Sequence, residues 1–338
     1  MGSEPAVAVI GGGAWGTALA QLMAGVGRDV RLWALEPEVA EEINSRRTNS
    51  LFLPGVELSG HIEASSNLED VVPGAGAVFM VCPSHAFREV VGRVGGLLAD
   101  GAAVVCCSKG LEEGSCYTMT EVARDVLPAR FHSRLAVLSG PSFAAEVARG
   151  VPTAVTVASH DPAVAREIQA LVATPRFRAY TTTDVVGLEL GGAVKNPLAI
   201  AAGMVGGLGL GANCLAALIT RGLAEMSRLV KAKGGQERTM AGLGGLGDLV
   251  LTCTSTQSRN YTVGMRLARG ESLEEILGSM RAVAEGVRNT PVVLELARRV
   301  GVEMPIVEAV GEVLGGRLTP ARALERLMAR ELKEEFYW

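Results

Sequence analysis

The 338-residue sequence has little net charge, few histidines and no C-x-x-C pair of cysteines. A net charge of −4 gives no electrostatic reason to expect a nucleic-acid partner, so any anion must be bound by local groups. The four histidines are isolated from one another, and we expect no metal site. None of the six cysteines forms a C-x-x-C pair, which is typical of a reducing compartment. We therefore expect a cytoplasmic protein.

The beginning of the chain lacks the basic segment of a secretory signal, so export is not expected. Residues 197–219 carry no charge and are numerous enough, at about 20, to cross a bilayer. Five glycines in that stretch dilute its apolar character and lower its helix propensity. Two readings stand, a membrane span and closely packed buried helices, and the second is favoured. We expect no stable membrane insertion.

Short, continuously apolar runs dominate the first half of the sequence. They predict strands at 6–10, 30–33, 77–81, 103–107, 135–138 and 153–157, with 177–180 closing the sheet. Strands buried on both faces and separated by helical stretches are typical of a parallel, doubly wound sheet. Asp161 followed by Pro162 predicts a helix that runs to about residue 172.

A glycine-rich turn follows the first predicted strand. Gly11, Gly13 and Gly16 satisfy G-x-G-x-x-G and lead into a helical segment. The first glycine permits a tight turn, the second lets a pyrophosphate approach the backbone, and the third allows close packing of the helix. Because the helix N-terminus supplies unpaired N–H groups, this segment predicts a dinucleotide site.

An acidic residue stands at the end of the second predicted strand, about 20 residues beyond the glycine turn. There the Glu36 carboxylate could bind a ribose 2′-hydroxyl and repel a 2′-phosphate. Alternatively, Glu36 simply opens the helix that begins at Pro37.

Helical periodicity replaces the strand pattern from about residue 184. It predicts helices at 215–230, 273–277, 291–300 and 321–333. The expected fold is α/β, with an N-terminal Rossmann domain over residues 1–184, whose doubly wound sheet is mainly parallel. An all-α C-terminal domain, expected to bind substrate and carry the catalysis, covers residues 185–338.

Two lysines stand where packing alone would not require them. Lys109 follows the predicted strand 103–107, where ligands of open α/β sheets bind, although a loop lysine is more often simply solvated. Lys195 interrupts a long apolar stretch, so it must be paired, reach the surface or serve chemistry. A neutral-pH base would need the pKa of Lys195 lowered from about 10.4 to about 7–8, a cost of roughly 4 kcal/mol.

A third polar segment begins at the glycines near residue 245. Asp248 is a candidate partner for Lys195, while Arg259 offers two parallel N–H donors to a phosphate, helped by Ser258 and Asn260. The alternative for Arg259 is an ordinary surface arginine.

Seven segments occur in the order and approximate spacing of one known family: 11–19 (GGGAWGTAL), 108–111 (SKGL), 139–146 (SGPSFAAE), 189–197 (ELGGAVKNP), 242–253 (GLGGLGDLVLTC), 258–260 (SRN) and 284–286 (AEG). The sequence thereby resembles the bacterial NAD(P)-dependent glycerol-3-phosphate dehydrogenases over essentially its full length. The resemblance implies a Rossmann domain plus a helical domain, usually as a dimer.

The resemblance also implies roles for individual residues. Lys195 would exchange the proton, Asp248 would support it, and Lys109 would contact both substrate and cofactor. The remaining implied substrate contacts are Gly140, Ser142, Ser258, Arg259 and Asn260. The implied cofactor contacts outside the glycine triad are Trp15, Ala144, Arg259, Val283 and Glu285. The positions of the glycine turn and of the second strand end add Ala14, Leu35 and Glu36 as candidates.

Two positions depart from the family pattern. Leu35 stands where many members carry a basic residue, so a 2′-phosphate loses a partner and we expect NAD to be preferred over NADP. Ala14 replaces a frequent serine, which removes a hydroxyl from the pyrophosphate site. Two rival hypotheses are a β-hydroxyacid or 6-phosphogluconate dehydrogenase and a catalytically silent dinucleotide sensor. The first is not expected to combine the 258–260 and 244–248 segments, and the second has no need of Lys109, Lys195 and Asp248.

Overall fold

The computed structural model describes residues 6–280, 284–332 and 334–335. The chain forms two compact units, the first from Met1–Lys109 with Tyr117–Val185 and the second from Gly110–Cys116 with Val186–Trp338. Long-range hydrogen bonds hold Gly110–Cys116 within the second unit. The Leu111 N–H donates to Asn289 Oδ1 at 3.0 Å, and Arg299 donates to the Gly114 and Ser115 carbonyls. Hydrogen bonds between such distant parts of the sequence cannot be predicted from local sequence patterns.

The first unit is built on one eight-stranded sheet, of order β3-β2-β1-β4-β5-β6-β7-β8. Its strands are β1 (Val7–Ile10), β2 (Val30–Trp33), β3 (Ile62–Ser65), β4 (Ala77–Met80), β5 (Ala103–Cys106), β6 (Leu135–Ser139), β7 (Thr153–Ala158) and β8 (Phe177–Thr182). Strands β1 to β6 are parallel, whereas β7 is antiparallel to β6 and parallel to β8. The mainly parallel sheet is confirmed. Strand β3 was not predicted, because its exposed Glu63 breaks the apolar pattern.

Helices separate most of these strands: α1 (Ala14–Ala24), α2 (Pro37–Arg46), α3 (Leu68–Val71), α4 (Phe87–Gly95), α5 (Met119–Val126), α6 (Ala144–Ala148) and α7 (Pro162–Val172). Helix α7 begins where Asp161 and Pro162 predict it, and Asp161 Oδ1 accepts from the Ala163 N–H at 2.8 Å. The strand order reverses between β1 and β4, which is where ligands of doubly wound sheets bind.

The second unit is helical and contains no strand in its described part. Its helices are α8 (Val185–Gly207), α9 (Gly211–Ala232), α10 (Asp248–Cys253), α11 (Arg259–Ala268), α12 (Leu273–Ser279), α13 (Glu285–Arg299), α14 (Pro305–Leu314) and α15 (Pro320–Met328). The helical C-terminal half is thus confirmed. Helix α13 begins six residues before the predicted start, with Pro291 inside it.

The uncharged stretch 197–219 belongs to two helices, α8 and α9. Within the described residues, α8 alone is long and apolar enough to cross a membrane, but 94% of its apolar window is buried in the protein. Its glycines allow close packing, because a Cβ on Gly203 would lie 1.9 Å from the Tyr261 carbonyl oxygen of α11. A Cβ on Gly264 would lie equally close to the Ile200 carbonyl oxygen. These observations favour a core helix.

Candidate active site

The glycine turn after β1 has the shape that a dinucleotide requires. Gly11 has φ +135°, and a Cβ on Gly16 would lie 1.9 Å from the Gly11 carbonyl oxygen, so no side chain is tolerated there. A Cβ on Gly13 would meet nothing within 4 Å. Gly13 therefore faces open space at the N-terminus of α1, where the first N–H groups lack partners within the helix. This space can hold a pyrophosphate.

Trp15, in the first turn of α1, gives an independent test of that fit. Its Nε1 is buried and finds no hydrogen-bond acceptor in the described part of the chain. A buried donor without a partner costs free energy, and a bound ligand can relieve that cost. The residues around α1 thus fit a polyanionic cofactor. Ala14, the first residue of α1, offers no side-chain oxygen to it.

The end of β2 leads into Glu36, for which two interpretations were given. Glu36 is the N-cap residue of α2, and its side chain makes no capping hydrogen bond. Because an acid at a helix N-terminus is favoured by charge alone, both the ribose-binding role and the helix-opening role stay predictions. The Leu35 side chain is 67% exposed beside it.

A second polar group lies at the carboxyl ends of β5 and β6. Lys109 Nζ donates to the Gly140 carbonyl oxygen at 3.2 Å, and Ser142 Oγ donates to the same oxygen at 3.1 Å. Gly140 has φ +146° and lies against β7, since a Cβ there would be 2.9 Å from Val155 Cα. The structure thus brings together three residues that the resemblance assigns to substrate contact. Nearby, Ala144 begins α6, which packs against α1.

Lys195 lies in the middle of α8, where the second unit encloses it. Its Nζ donates to Asp248 Oδ1 at 2.5 Å and to Thr252 Oγ1 at 2.9 Å. The lysine and aspartate side chains are 9% and 1% exposed. Lys195 is therefore paired and does not extend to the surface. A buried carboxylate at this distance stabilises the ammonium form, which opposes the effect of desolvation.

The elements around Lys195 explain how the pair is held. Asp248 is the first residue of α10, directly after a π-helical turn at Leu243–Gly247, a form often found at functional sites. Thr252 is four residues later on the same face of α10, and its hydroxyl also donates to the Asp248 carbonyl at 2.6 Å. Burial raises the pKa of the neighbouring Cys253 thiol to about 12, so this cysteine stays neutral and carries no charge into the site.

A side-chain hydrogen bond connects Asn196, the residue after Lys195, to the start of α11. Asn260 Nδ2 donates to Asn196 Oδ1 at 3.0 Å, and Asn260 Oδ1 accepts from the Gly286 N–H at 2.9 Å. Ser258 is the N-cap of α11 and accepts from the Tyr261 N–H at 3.2 Å. The Asn260 side chain therefore fixes neighbouring segments, a role that the sequence alone did not indicate.

Arg259 is the first residue of α11, and its side chain is exposed. The protein mass around the guanidinium lowers its pKa, while the Glu285 carboxylate opposes that shift. The exposed guanidinium is accessible to a ligand, and it stays protonated near neutrality. A permanent cation thus stands at the N-terminus of a ten-residue helix. Both the arginine charge and the N–H groups of the helix N-terminus favour a bound anion there.

Models of one family match nearly the whole chain. The N-terminal domain of NAD-dependent glycerol-3-phosphate dehydrogenase matches residues 6–165, and the C-terminal domain of the same enzyme matches residues 184–325. The chain belongs to the NAD-dependent glycerol-3-phosphate dehydrogenase family. It is therefore an oxidoreductase that uses NAD or NADP, which confirms the family resemblance found in the sequence.

Individual relatives of this dehydrogenase family agree with that assignment. The chain is 52% identical to an NAD(P)+ glycerol-3-phosphate dehydrogenase of Geobacter sulfurreducens, over 97% of the chain and 98% of the relative. It is also 52% identical to the enzyme of Rhodospirillum rubrum, over 97% of the chain and 93% of the relative. The crystal structure of glycerol-3-phosphate dehydrogenase from Coxiella burnetii superposes with a TM-score of 0.92 at 40% identity, covering 97% of this chain and all of that one.

Two members of the dehydrogenase site were missed as site residues from sequence. Thr252 bonds to Lys195 directly, and Asn196 receives the Asn260 amide. The signals were present, since Thr252 is four residues after Asp248 and Asn196 is the neighbour of Lys195. Of the predicted cofactor contacts, Glu285 begins α13, whereas Val283 lies outside the described residues. The described ranges contain no cluster of three metal-ligating side chains.

Proposed function

We propose that this chain interconverts sn-glycerol 3-phosphate and dihydroxyacetone phosphate, with Lys195 exchanging the proton. Family membership supports the reaction, and the buried contact between Lys195, Asp248 and Thr252 supports the assignment of the proton-transfer group. The product glycerol 3-phosphate would serve phospholipid synthesis.

The proposed reaction moves one hydride and one proton. NAD or NADP, when bound, accepts the hydride from C2 of glycerol 3-phosphate and returns it in the reverse direction. Lys195 as the neutral amine takes the proton of the C2 hydroxyl during oxidation, and as the ammonium it gives that proton to the ketone oxygen during reduction. Because Asp248 favours the ammonium, the enzyme without substrate is poised for reduction.

Asp248 and Thr252 are proposed to position Lys195 and to keep its charge compensated. Their oxygen atoms accept from Lys195 Nζ at 2.5 and 2.9 Å, which holds the amine in one orientation. Lys109, Gly140 and Ser142 are proposed as further substrate contacts, with Lys109 also touching the cofactor.

Phosphate binding is proposed at the start of α11. Arg259 would hold the phosphate with two parallel N–H donors, beside the N–H groups of the helix that Ser258 caps. Asn260 acts mainly by holding Asn196 and Gly286 in place. Since the phosphate end does not react, its binding energy would orient the reacting carbon, and Arg259→Ala should lower kcat as well as raise KM.

The cofactor is proposed to lie on the N-terminus of α1, with its pyrophosphate over Gly13. Gly11, Gly13, Ala14, Trp15 and Gly16 would contact it directly. Other proposed contacts are Leu35, Glu36, Lys109, Ala144, Arg259, Val283 and Glu285. We infer a preference for NAD, because the exposed Leu35 offers no cation and Glu36 would repel a 2′-phosphate.

Residues 1–184 are proposed as the dinucleotide-binding domain and residues 185–338 as the helical substrate-binding and catalytic domain. We further propose a homodimer in the cytoplasm. Free cysteines support a reducing compartment, since all six are unpaired and five of them are buried. Sedimentation equilibrium tests the dimer.

The reaction is tested by following the absorbance of NADH and of NADPH with dihydroxyacetone phosphate, beside dihydroxyacetone as the control without phosphate. We expect turnover with the phosphorylated ketone, faster with NADH, and little with the control. Lys195→Ala should nearly abolish turnover while NADH affinity stays within about twofold. An active Lys195→Ala enzyme would remove this lysine from its proposed role.

A further inference from the structure

A buried asparagine, Asn49, is hydrogen-bonded to the glycine turn from a distant part of the chain. Asn49 lies in the segment between α2 and β3, and its Nδ2 donates to the Gly12 carbonyl oxygen, 37 residues away, at 2.8 Å. The same nitrogen donates to Thr17 Oγ1 at 2.9 Å, and the buried Thr17 hydroxyl donates to the Gly12 carbonyl at 3.1 Å. The Gly12 carbonyl oxygen therefore accepts from two buried side chains.

The surroundings determine which end of the Asn49 amide faces the turn. Asn49 Oδ1 accepts from the Phe52 N–H at 3.1 Å, whereas the Gly12 carbonyl oxygen can only accept. Turning the amide over would place oxygen against oxygen at Gly12 and N–H against N–H at Phe52. The donor end of Asn49 is therefore directed at Gly12.

A carboxylate of α2 holds the segment that carries Asn49. Glu42 Oε1 accepts from the Thr48 hydroxyl at 2.8 Å and from the Ser50 N–H at 2.9 Å. Glu42 Oε2 accepts from Ser50 Oγ at 2.9 Å. Both chain neighbours of Asn49 are thus fixed by contacts outside the glycine turn, so Asn49 acts on the turn from a fixed position.

The bond from Asn49 sets the direction of an N–H group in the same peptide. The Gly12 carbonyl and the Gly13 N–H belong to one planar, trans peptide and therefore point in opposite directions. Asn49 and Thr17 hold the carbonyl toward the buried side of the turn. The Gly13 N–H is consequently directed away from them. Gly13 is also the residue that faces open space, where the pyrophosphate is proposed to lie.

The peptide between Gly12 and Gly13 has little conformational restriction of its own. Both flanking residues lack a Cβ, so their φ and ψ angles are less restricted than those of other residues. Two side-chain hydrogen bonds to the carbonyl limit that freedom before a ligand binds. A group that is already held in its binding orientation loses less entropy on binding, which strengthens the affinity.

We propose that Asn49 is a positioning residue for the cofactor, which holds the Gly12–Gly13 peptide so that the Gly13 N–H donates to the pyrophosphate. This inference rests on the cofactor site proposed above at the N-terminus of α1. Asn49 acts through Gly12, so it affects the affinity for the dinucleotide and takes no part in proton transfer.

Fluorescence titration of the full chain with NADH tests the proposal. Asn49→Ala removes the amide donor and should raise the Kd for NADH at least about tenfold. Thr17→Val removes the longer of the two hydrogen bonds to Gly12 and keeps the shape of the side chain. It should raise the Kd by a smaller factor, about threefold.

Asn44→Ala is the matched control. Asn44 Nδ2 donates to the Ala64 carbonyl oxygen at 2.8 Å, and Asn44 Oδ1 accepts from the Ala64 N–H at 2.8 Å. This asparagine of α2 thus also binds a distant backbone position, but that position lies in β3 and not in the glycine turn. Its loss should lower the midpoint of urea unfolding while the Kd for NADH stays within about twofold of the wild type.

Steady-state kinetics separate positioning from general damage to the fold. In Asn49→Ala the KM for NADH should rise together with the Kd. The KM for dihydroxyacetone phosphate at saturating NADH should change by less than about twofold. A chain that is only destabilised would lose affinity for both ligands. Circular dichroism melting of each variant checks that it folds.

The proposal is wrong if Asn49→Ala binds NADH within about twofold of the wild type, or if Asn44→Ala loses as much affinity as Asn49→Ala. If Asn49→Ala does not fold, Thr17→Val decides, and an unchanged Kd in that variant overturns the proposal. A wild-type chain that does not bind NADH would refute the cofactor site itself, which distinguishes that failure from a failure of the role of Asn49.

Discussion

Replacing Asp248 by asparagine isolates the electrostatic part of the proposed mechanism. The variant keeps the size of the side chain but removes the carboxylate that lies 2.5 Å from Lys195 Nζ. Because the lysine side chain is only 9% exposed, its ammonium would lose its counter-charge without gaining water. Breaking a buried pair in this way costs about 3–5 kcal/mol.

That free energy can be relieved if Lys195 releases its proton. One pH unit corresponds to 1.36 kcal/mol, so the lower value of about 3 kcal/mol amounts to roughly two pH units. Reduction of dihydroxyacetone phosphate needs the ammonium as acid. The alkaline limb of its pH-rate profile should therefore move about two units toward lower pH in Asp248→Asn.

The assay is the rate of NADH oxidation across the pH range for the wild type, Asp248→Asn and Thr252→Val. Thr252→Val serves as the comparison, since it removes an uncharged acceptor of the Lys195 ammonium, worth about 1.5 kcal/mol, and should move the limb by about one unit, less than Asp248→Asn. If Asp248→Asn keeps its alkaline limb within half a unit of the wild type, about 0.7 kcal/mol, the pair does not control protonation of Lys195 and the reasoning fails.

Three further predictions concern the cofactor turn, cofactor choice and stability. Leu35→Arg should improve kcat/KM for NADPH relative to NADH by about tenfold or more, since an exposed cation can pair with a 2′-phosphate; an unchanged ratio would contradict our view of Leu35. Gly16→Ala should abolish NADH binding in fluorescence titrations, because its Cβ would lie 1.9 Å from the Gly11 carbonyl oxygen, whereas Gly92→Ala in α4 should bind normally. Burial raises the pKa of Glu225 to about 7 from 4.5, so its contribution to stability is full below pH 4.5 and lost as pH rises through 7. In the wild type the free energy of unfolding should fall by roughly 3 kcal/mol between these pH values, and Glu225→Gln should remove that fall in urea unfolding experiments. If the free energy of unfolding depends on pH equally in both proteins, Glu225 titrates normally.

Much of the fold follows from local patterns in the sequence. Apolar runs identify seven of the eight strands, because a strand buried on both faces needs apolar side chains at nearly every position. The exception among the seven is β8, in which exposed residues alternate with buried ones at its start. The missed strand β3 is an edge strand of the sheet, and its residues alternate, with Glu63 exposed. Pro291 misplaces the start of α13, because a proline at a first turn and a proline inside a longer helix look alike in the sequence.

The sequence by itself determined the glycine turn, the identity of the chemical groups and the family. These three features depend on which residue types occur and on short spacings between them. Only glycine readily adopts the backbone conformation of Gly11, and the amine at position 195 comes from the lysine itself. The tertiary structure decided which groups meet. Asp248 and Thr252 reach Lys195 from more than fifty residues away, and the Asn289 side chain accepts from the distant Leu111 N–H. Such contacts arise from the packing of whole helices, and no local sequence pattern predicts them.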